Sequence, residues 1–212
     1  MGRFAGENLE CVRGERPVFA GLDFSMEEGD ALVLVGANGS GKTSLLRLMA
    51  GLLTPAGGRL LWDGQAIATD MRAHAGRLRF VGHADALKPG LTAAENLSFW
   101  AAFDGGGIDI KARVEAALDA FGIGRLADVP GRYLSAGQRR RLALCRLLVT
   151  SASLWLLDEP RTALDRDAVG RLDRVLAEHR TTGGLAVLAI HGSELPPAPR
   201  LLDLGRLPVG PC

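Results

Sequence analysis

The sequence is poor in cysteine, in lysine and in long apolar runs, and the first and last of these shortages each argue against a class of protein. Its three cysteines, Cys11, Cys145 and Cys212, show no CxxC spacing, which argues against a disulfide scaffold or a zinc site and is typical of a reducing compartment. Apolar stretches such as Leu185–Ile190 are far shorter than the ~20 residues that cross a bilayer. The N-terminus has no apolar signal region. We therefore expect a soluble protein, or one that reaches a membrane only through a partner.

The charge is nearly balanced, which removes a common route to nucleic acids and anionic lipids. Lys+Arg 25 against Asp+Glu 24 gives a net charge of +1, so no long-range field attracts polyanions over the whole surface. The balanced charge does not exclude a local cationic patch. Only Lys42, Lys88 and Lys111 are lysines, and the other cations are arginines. With 212 residues and 47% hydrophobic residues, the chain is long enough for one sizeable core.

Short apolar runs alternate with segments of helical periodicity, which predicts an α/β fold with a mainly parallel sheet. Buried strands are expected at Ala31–Val35, Leu154–Leu157 and Leu185–Ile190. Arg59–Trp62, followed by Asp63-Gly64, predicts a strand and a turn, as in a hairpin.

Helix signals fill the intervals between these strands. Ser44–Leu53 has helical spacing. Two capping boxes, Thr92–Glu95 and Ser135–Gln138, predict helix starts, and the second helix is expected over Gln138–Leu148. The stretch from about 84 to 150 is largely helical and interrupts the alternation, so we interpret it as an inserted helical subdomain.

A glycine-rich loop follows the first buried strand and precedes a helix. Its residues, Gly36-Ala37-Asn38-Gly39-Ser40-Gly41-Lys42-Thr43, match G-x-x-x-x-G-K-[ST]. Glycines allow successive backbone N–H groups to curl around phosphate oxygens, and the helix N-terminus adds positive potential. We expect Lys42 to neutralise charge on the β- and γ-phosphates and the Thr43 hydroxyl to hold Mg²⁺. The loop therefore predicts a nucleotide site.

Two carboxylates follow the buried strand Leu154–Leu157. The carboxyl end of a parallel strand is where α/β sheets bind ligands. We expect Asp158 to approach Mg²⁺, directly or through water, and Glu159 to polarise the attacking water as a general base. An Asp-Glu pair after apolar residues is common in proteins and predicts no function by itself. The phosphate loop in the same chain is what favours a functional interpretation of the pair here.

The segment Leu134-Ser135-Ala136-Gly137-Gln138 is more diagnostic. By itself, S-x-x-Q is an ordinary capping box at a helix N-terminus. Between a phosphate loop and an Asp-Glu strand, it resembles the LSGGQ signature of the ABC-type ATPases, with Ala136 in place of one glycine. In that family two ATP-binding domains pack head to tail, and the signature of one caps the γ-phosphate held by the other. The resemblance therefore implies a homodimer in which Ser135, Ala136, Gly137 and Gln138 contact ATP in trans.

The resemblance covers nearly the whole chain and implies an architecture. The fold would be an α/β P-loop NTPase, an ABC-type nucleotide-binding domain with a RecA-like core, an antiparallel β subdomain and an inserted helical subdomain. One domain would occupy 1–212, with the core and β subdomain at about 1–83 and 151–205 and the helical subdomain at about 84–150. Its cofactors would be ATP and Mg²⁺.

Two further positions match the family's pattern. Thr162-Ala163-Leu164-Asp165 resembles the D-loop, which follows the dimer seam, and this implies that Asp165 belongs to the nucleotide site. His191 stands just after the strand Leu185–Ile190, where the family's switch histidine contacts the γ-phosphate. A single histidine after a strand is more often structural, but this register implies a catalytic role.

Two positions depart from the family's pattern. Where the family has a glutamine that touches Mg²⁺ and water, this sequence has His83-Ala84. If Ala84 occupies that position, an amide ligand is missing, and His83 or water would have to substitute. Where the family often stacks an aromatic side chain on adenine, this sequence has Arg13. A guanidinium plane can also stack on a base, and the alternative for Arg13 is a solvated surface arginine.

Three segments narrow the resemblance to the ATP-binding subunits of the haem exporter of cytochrome c maturation: FVGHADALKPGLTAAENLSFW, LSAGQRRRLALCRLL and LWLLDEP. This implies a peripheral protein on the cytoplasmic face of the bacterial inner membrane, which works with an integral membrane subunit of the CcmB type and the cytochrome c maturation complex. ATP hydrolysis would be tied to haem export, or to haem delivery to or release from a periplasmic chaperone. No nucleic-acid partner is implied.

Other classes of ATPase stay open to different degrees. The motifs fit equally the same ATPase coupled to another exporter, for example of lipid, polysaccharide or drug. Non-transport ABC ATPases usually carry a long coiled-coil insertion or two fused ATPase domains, and neither is visible here. The order of the motifs disfavours a P-loop kinase of small molecules.

The run Arg139-Arg140-Arg141 directly follows the signature. A charge run on a helix is usually a solvated face, and we interpret it so, with Leu142 and Leu144 facing inward. The alternative is that one or two of these arginines support the nucleotide or the dimer partner.

Overall fold

The computed structural model describes residues 2–103, 109–190 and 199–206. Within that part of the chain the strands are β1 (Phe4–Arg13), β2 (Arg16–Met26), β3 (Ala31–Val35), β4 (Gly57–Trp62), β5 (Gln65–Ala66), β6 (Leu78–Val81), β7 (Leu154–Asp158), β8 (Leu185–Ala189) and β9 (Arg200–Asp203). The helices are α1 (Lys42–Met49), α2 (Met71–Gly76), α3 (Ala93–Phe103), α4 (Ile110–Ala120), α5 (Ala136–Cys145) and α6 (Arg166–Thr181).

The chain divides into two compact units. Unit 1 is made of 1–80, 153–159 and 179–212, and unit 2 of 81–152 and 160–178. None of the helices in the described ranges is both long and apolar enough to cross a membrane.

Unit 1 contains an antiparallel sheet and a sheet with parallel pairing. The antiparallel sheet has the order β2-β1-β4-β5, and β4 and β5 form the hairpin that the sequence predicts, with Leu61 opposite Ala66. The second sheet has the order β6-β7-β8-β3-β9, and its pairs β7–β8, β8–β3 and β3–β9 are parallel. The predicted α/β fold with a mainly parallel sheet is therefore confirmed.

The strands at the centre of the second sheet are apolar almost throughout. Every residue of β7 and β8 is buried, and so are the first four residues of β3. Continuous apolar runs of this kind are typical of parallel strands covered on both faces. The core of unit 1 joins these strands to α1 and to the antiparallel sheet; its members include Phe4, Leu22, Leu34, Leu45, Leu156 and Val187.

Unit 2 is helical and begins its helices with side-chain caps. At α3 the Thr92 hydroxyl accepts a hydrogen bond from the Glu95 N–H at 3.1 Å, and the Glu95 carboxylate accepts one from the Thr92 N–H at 2.7 Å. At α5 Ser135 and Gln138 form the same reciprocal arrangement. Both capping boxes predicted from the sequence are confirmed.

Two helices are shorter than the periodicity predicts. α1 ends at Met49 rather than Leu53, because Gly51 adopts a left-handed conformation (φ 70°) and the Leu52 N–H turns back to the Arg47 carbonyl, as at a glycine-terminated helix. α5 ends at Cys145 rather than Leu148, because the Leu148 N–H bonds to the carbonyl three residues earlier, which tightens the last turn. Apolar periodicity alone continues through both endings.

Candidate functional site

The phosphate loop, residues 36–43, connects the C-terminal end of β3 to α1. Its backbone enters regions that side chains disfavour, with φ at 142° for Gly36 and 99° for Gly41. A Cβ on Gly41 would come within 2.6 Å of the Val18 side chain, so this approach to β2 requires glycine. Gly41 is the N-cap of α1 and makes no side-chain cap. The helix N-terminus is therefore left for an anionic ligand.

Lys42 turns back toward its own loop. Its side chain is largely buried, and Nζ donates hydrogen bonds to the carbonyl oxygens of Gly36 at 2.7 Å and Ala37 at 3.0 Å. Burial lowers the pKa of Lys42, while the nearby carboxylates of Glu159 and Asp158 act to raise it. The loop thus holds the Lys42 amino group inside the fold, against its own carbonyl oxygens. The Ser40 hydroxyl is also buried, and a Cβ on Gly36 would lie within 2.6 Å of it.

The carboxylates at the end of β7 have different surroundings. Asp158 is 3% exposed, and its Oδ1 accepts a hydrogen bond from Thr43 Oγ1 at 3.2 Å. Glu159 is half-buried and has a left-handed backbone with φ 49°. Its N–H donates to the Ala189 carbonyl at 2.9 Å, which fixes this residue beside the end of β8. Backbone strain of this kind at a non-glycine residue often accompanies a functional site.

One cavity of about 480 Å³ is lined by residues predicted to bind the phosphates, by the residue predicted to stack on adenine, and by the residue predicted to activate water. It is lined by Arg13, Val18, Asn38, Gly39, Gly41, Lys42, Thr43, Ser44 and Glu159. Arg13 is exposed at the end of β1, so its guanidinium group is available to a ligand. Asp158 joins this set through its hydrogen bond to Thr43.

Val18 and Ser44 line the cavity but were not singled out from the sequence. Ser44 directly follows Thr43 in the first turn of α1, and this position was the signal that could have identified it. Val18 lies in β2, more than twenty positions before the helix. Only the packing of β2 against Gly41 brings it to the cavity, and no local pattern announces that contact.

The signature turn lies in unit 2 at the N-terminus of α5. The Ser135 hydroxyl accepts a hydrogen bond from the Gln138 N–H at 3.3 Å, and Gln138 Oε1 accepts one from the Ser135 N–H at 2.8 Å. Ser135 and Ala136 are exposed, whereas Gly137 and Gln138 are half-buried. The turn is therefore rigidly capped and open to a partner.

The neighbouring positions Ala136 and Gly137 differ in the space around them. A Cβ on Gly137 would lie 2.8 Å from the carbonyl oxygen of Ala163, which is too close for any side chain. Ala136 is exposed. The structure therefore explains why a methyl group is accepted at the first position and why the second needs glycine.

Asp165 directly precedes α6 and forms an ion pair with Arg141 of α5, the helix that begins at the signature turn. Its Oδ1 accepts a hydrogen bond from the Ala168 N–H at 2.9 Å, and its Oδ2 pairs with the Arg141 guanidinium. Its side chain remains 61% exposed. The ion pair and the close approach of Ala163 to Gly137 hold the segment 163–165 against α5 within unit 2.

The interpretation of Arg139-Arg140-Arg141 as a solvated face is wrong for Arg140, which is 3% exposed. Arg139 donates to the Leu134 carbonyl at 2.6 Å and Arg141 binds Asp165. Successive helix positions point about 100° apart, so the three side chains reach three different segments. The sequence does not reveal this difference, because three identical residues in a row give no information about which partner each side chain contacts.

The remaining predicted positions are placed as follows. His83 and Ala84 are both exposed in the loop that follows β6 in unit 2. The predicted switch residue His191 lies outside the described residues.

The chain is similar to known ATP-binding proteins over most of its length. The family model for the ABC transporter matches residues 19–162. The chain is 53% identical over 208 residues to the cytochrome c biogenesis ATP-binding export protein CcmA of Rhodospirillum rubrum, with 98% of this chain and 88% of that protein covered. It is 54% identical to the protein of the same name from Paramagnetospirillum magneticum, with 97% and 95% covered.

A solved structure shares the fold. The putative ABC transporter ATP-binding protein from Pyrococcus furiosus superposes with a TM-score of 0.85 at 22% identity, covering 97% of this chain and 98% of that one. At this identity the likeness concerns the fold alone.

Proposed function

The chain belongs to the ABC transporter family of ATPases, and we propose that it is the ATP-hydrolysing subunit of an exporter that acts in cytochrome c biogenesis, coupled to haem export or to release of a haem chaperone. The observation that carries this proposal is the pair of relatives that match almost the whole chain and are named for that process. The alternative exporters have no comparable support.

ATP binding rests on the cavity of unit 1. The N-terminus of α1 and the ammonium group of Lys42 supply positive potential where the triphosphate is expected. Asn38 and Gly39 of the phosphate loop line the same cavity. Arg13, at the end of β1, also lines it. A guanidinium plane can stack on a nucleobase, so we assign adenine to Arg13.

The magnesium ion that accompanies ATP fits the oxygen atoms present. Mg²⁺ prefers oxygen ligands and is usually held by one or two protein groups together with phosphates. The Thr43 hydroxyl and the Asp158 carboxylate lie side by side, 3.2 Å apart, next to the phosphate loop. These two groups would hold the ion, which when bound neutralises charge on the β- and γ-phosphates.

Glu159 is the residue assigned to water activation. It lines the cavity beside Lys42, and its backbone is fixed by the bond to Ala189. A carboxylate held there can take a proton from water as the water attacks the terminal phosphorus, and ADP and phosphate leave. His191 is assigned to the γ-phosphate from its register after β8 alone.

The dimer part of the proposal rests on the exposed signature turn. Ser135 and Ala136 face outward at the N-terminus of α5, a position that favours an anion. In a head-to-tail homodimer this turn, with Gly137, Gln138 and Asp165, would meet the ATP held by the partner copy. Each copy would then complete the other's site.

The membrane partner is proposed from the relatives' name as export proteins. An integral subunit of the CcmB type would hold this chain at the cytoplasmic face of the inner membrane. Co-purification from detergent-solubilised membranes identifies that subunit directly.

Deletion of the gene tests the proposed process. Holo-cytochrome c should disappear, and the wild-type chain but not the Glu159→Gln variant should restore it. Unchanged holo-cytochrome c in the deletion strain would contradict a role in cytochrome c biogenesis and would favour another exported substrate.

Glu159→Gln also tests the catalytic assignment in vitro. Because general-base catalysis contributes about 10²–10⁴-fold, we expect ATP turnover to fall at least hundredfold, while ATP still binds and an ATP-bound dimer accumulates. Steady-state phosphate release and light scattering after size exclusion measure both effects. A monomeric variant with normal turnover would rule out this role.

A further inference from the structure

The loop 82–91 of unit 2 is anchored at its C-terminal end by a buried amide. Asn96, in α3, is 3% exposed. Its Oδ1 accepts a hydrogen bond from the Lys88 N–H at 2.8 Å, and its Nδ2 donates to the carbonyl oxygens of Lys88, Leu91 and Thr92 at 3.1, 3.2 and 2.9 Å. This side chain holds the last turn of the loop together with backbone hydrogen bonds from the Gly131 and Arg132 N–H groups to the Leu91 and Pro89 carbonyls.

The N-terminal end of the same loop is held by the signature helix. Arg140 donates from one terminal nitrogen to the Gly82 carbonyl at 2.8 Å, and the same nitrogen lies 3.5 Å from Asp85 Oδ1. The Arg140 side chain is 4% exposed and that of Asp85 is 26% exposed. A guanidinium group so deeply buried is stabilised only by such acceptors, because an uncompensated buried charge is costly.

The Asp85 carboxylate also interacts electrostatically with a second buried arginine, Arg146. Arg146 is 6% exposed and lies 4.9 Å above the Trp100 ring. Burial and, to a lesser extent, the positive charge of Arg140 lower the pKa of Arg146 to about 10, and Asp85 acts in the opposite direction. Asp85 therefore stabilises the positive charge of both arginines.

From this geometry we propose that Arg140 is a positioning residue, which locks the loop 82–91 to α5 so that this loop and the signature turn move together. Arg140 lies only two positions after Gln138, the last residue of the signature turn. A displacement of Gly82 or Asp85 therefore reaches the start of α5 through one rigid guanidinium group. The loop also contains His83-Ala84, which the resemblance places where the family has its glutamine.

This proposal rests on the proposed ATPase function for its effect on turnover, but its structural part does not. Arg140 and the loop belong to unit 2, whereas Lys42 and the nucleotide cavity belong to unit 1. Removing the Arg140 contacts should therefore leave ATP affinity unchanged and impair the step that needs the signature turn.

The test compares Arg140→Met, Arg140→Lys and the control Arg125→Met, an exposed arginine of unit 2. Loss of a charge-assisted hydrogen bond favours local opening by about tenfold or more. We expect amide hydrogen exchange in 82–91 to accelerate about tenfold in Arg140→Met and less in Arg140→Lys. Turnover should fall severalfold with the ATP dissociation constant within about twofold, and Arg125→Met should change neither quantity.

Other outcomes overturn the proposal. Unchanged exchange in 82–91 would show that Arg140 does not hold the loop, and faster exchange with normal turnover would show that the link has no part in catalysis. If Arg140→Met does not fold, Asp85→Asn decides in its place, with the same two measurements. Exchange is measured on the isolated chain without ATP, so it stands even if cytochrome c assembly is not the process served.

Discussion

Two helix N-termini of this protein carry the predicted phosphate contacts, and they are built in opposite ways. α1 begins at Gly41 and has no side-chain cap, so its first N–H groups remain for a ligand. α5 begins with a complete capping box, in which Ser135 and Gln138 satisfy each other's N–H groups. The first terminus is enclosed by Val18 and by the buried Lys42, and the second is exposed.

The difference indicates which terminus binds first. At α1 a phosphate replaces the hydrogen bonds from Lys42 Nζ to the loop's own carbonyl oxygens and meets helix N–H groups that no side chain caps. At α5 Ser135 is already bonded to Gln138, so a phosphate must compete with an internal cap. For the proposed homodimer this favours an order in which the phosphate loop of one copy captures ATP and the signature turn of the second copy adds its contact afterwards.

Removing Lys42 breaks the first half of this comparison and should have the largest effect. Lys42→Ala deletes the buried ammonium group, and loss of such charge-assisted contacts to phosphate should weaken ATP binding roughly hundredfold. Isothermal titration measures it, with the exposed Lys88→Ala as a control. Undiminished ATP affinity in Lys42→Ala would contradict the assignment of the phosphate site.

Exchanging the two small residues of the signature sharpens the second half. Gly137→Ala forces a methyl group against the Ala163 carbonyl, and such overpacking costs ~1–3 kcal/mol, offset by ~1 kcal/mol of helix propensity. We expect a lower melting temperature and a severalfold loss of turnover. Ala136→Gly, at an exposed position, should keep turnover within about twofold. Equal behaviour of the two variants would refute the steric explanation.

Ser135→Ala removes the internal cap itself. Loss of an N-cap costs ~1 kcal/mol, which lowers the melting temperature by about 2–4 °C in a chain of this size. ATP affinity of the monomer should not change, because the proposed contact of Ser135 is with the ATP held by the partner copy. Ser98→Ala, inside α3, is the matched control and should not destabilise. A melting temperature equal to that of the wild type would show that the capping box contributes no stability.

The smallest effect concerns the pH dependence of unit 1. Burial lowers the pKa of His74 and of His179, which stacks on Trp155 at 3.7 Å. Because both pKa values are lowered in the fold, the unfolded chain binds protons more readily below ~6.5, so stability is complete above that pH and is lost as the pH falls. Denaturant midpoints at pH 7.5 and 5.5 measure this loss.

Substitution of one histidine isolates its share of the acid sensitivity. His179→Phe keeps a ring against Trp155 and removes the titrating group, so the difference between the two midpoints should shrink. Ser98→Ala, in α3, removes no titrating group and should leave that difference unchanged. An equal acid loss in all three proteins would mean that other groups cause it.

The phosphate site was predictable because its parts are contiguous. Eight consecutive residues form the loop, and Asp158 and Glu159 directly follow a strand whose apolar run marks its end. The capping boxes were predictable for the same reason, since both partners lie within one turn of helix. Arg140 was misread because Gly82 and Asp85 are more than fifty positions away.

The sequence by itself determined the local features of this protein: where the glycine-rich loop predicted to bind phosphate lies, which strand ends in carboxylates, and where α3 and α5 begin. Such features depend on backbone geometry over a few residues, and residue type constrains that geometry directly. Only the tertiary structure decided that Val18 lines the cavity, that Gly137 must lack a side chain, and that Arg140 is buried. These facts depend on packing between distant segments, where the available space and the nearest acceptor are set by the whole fold.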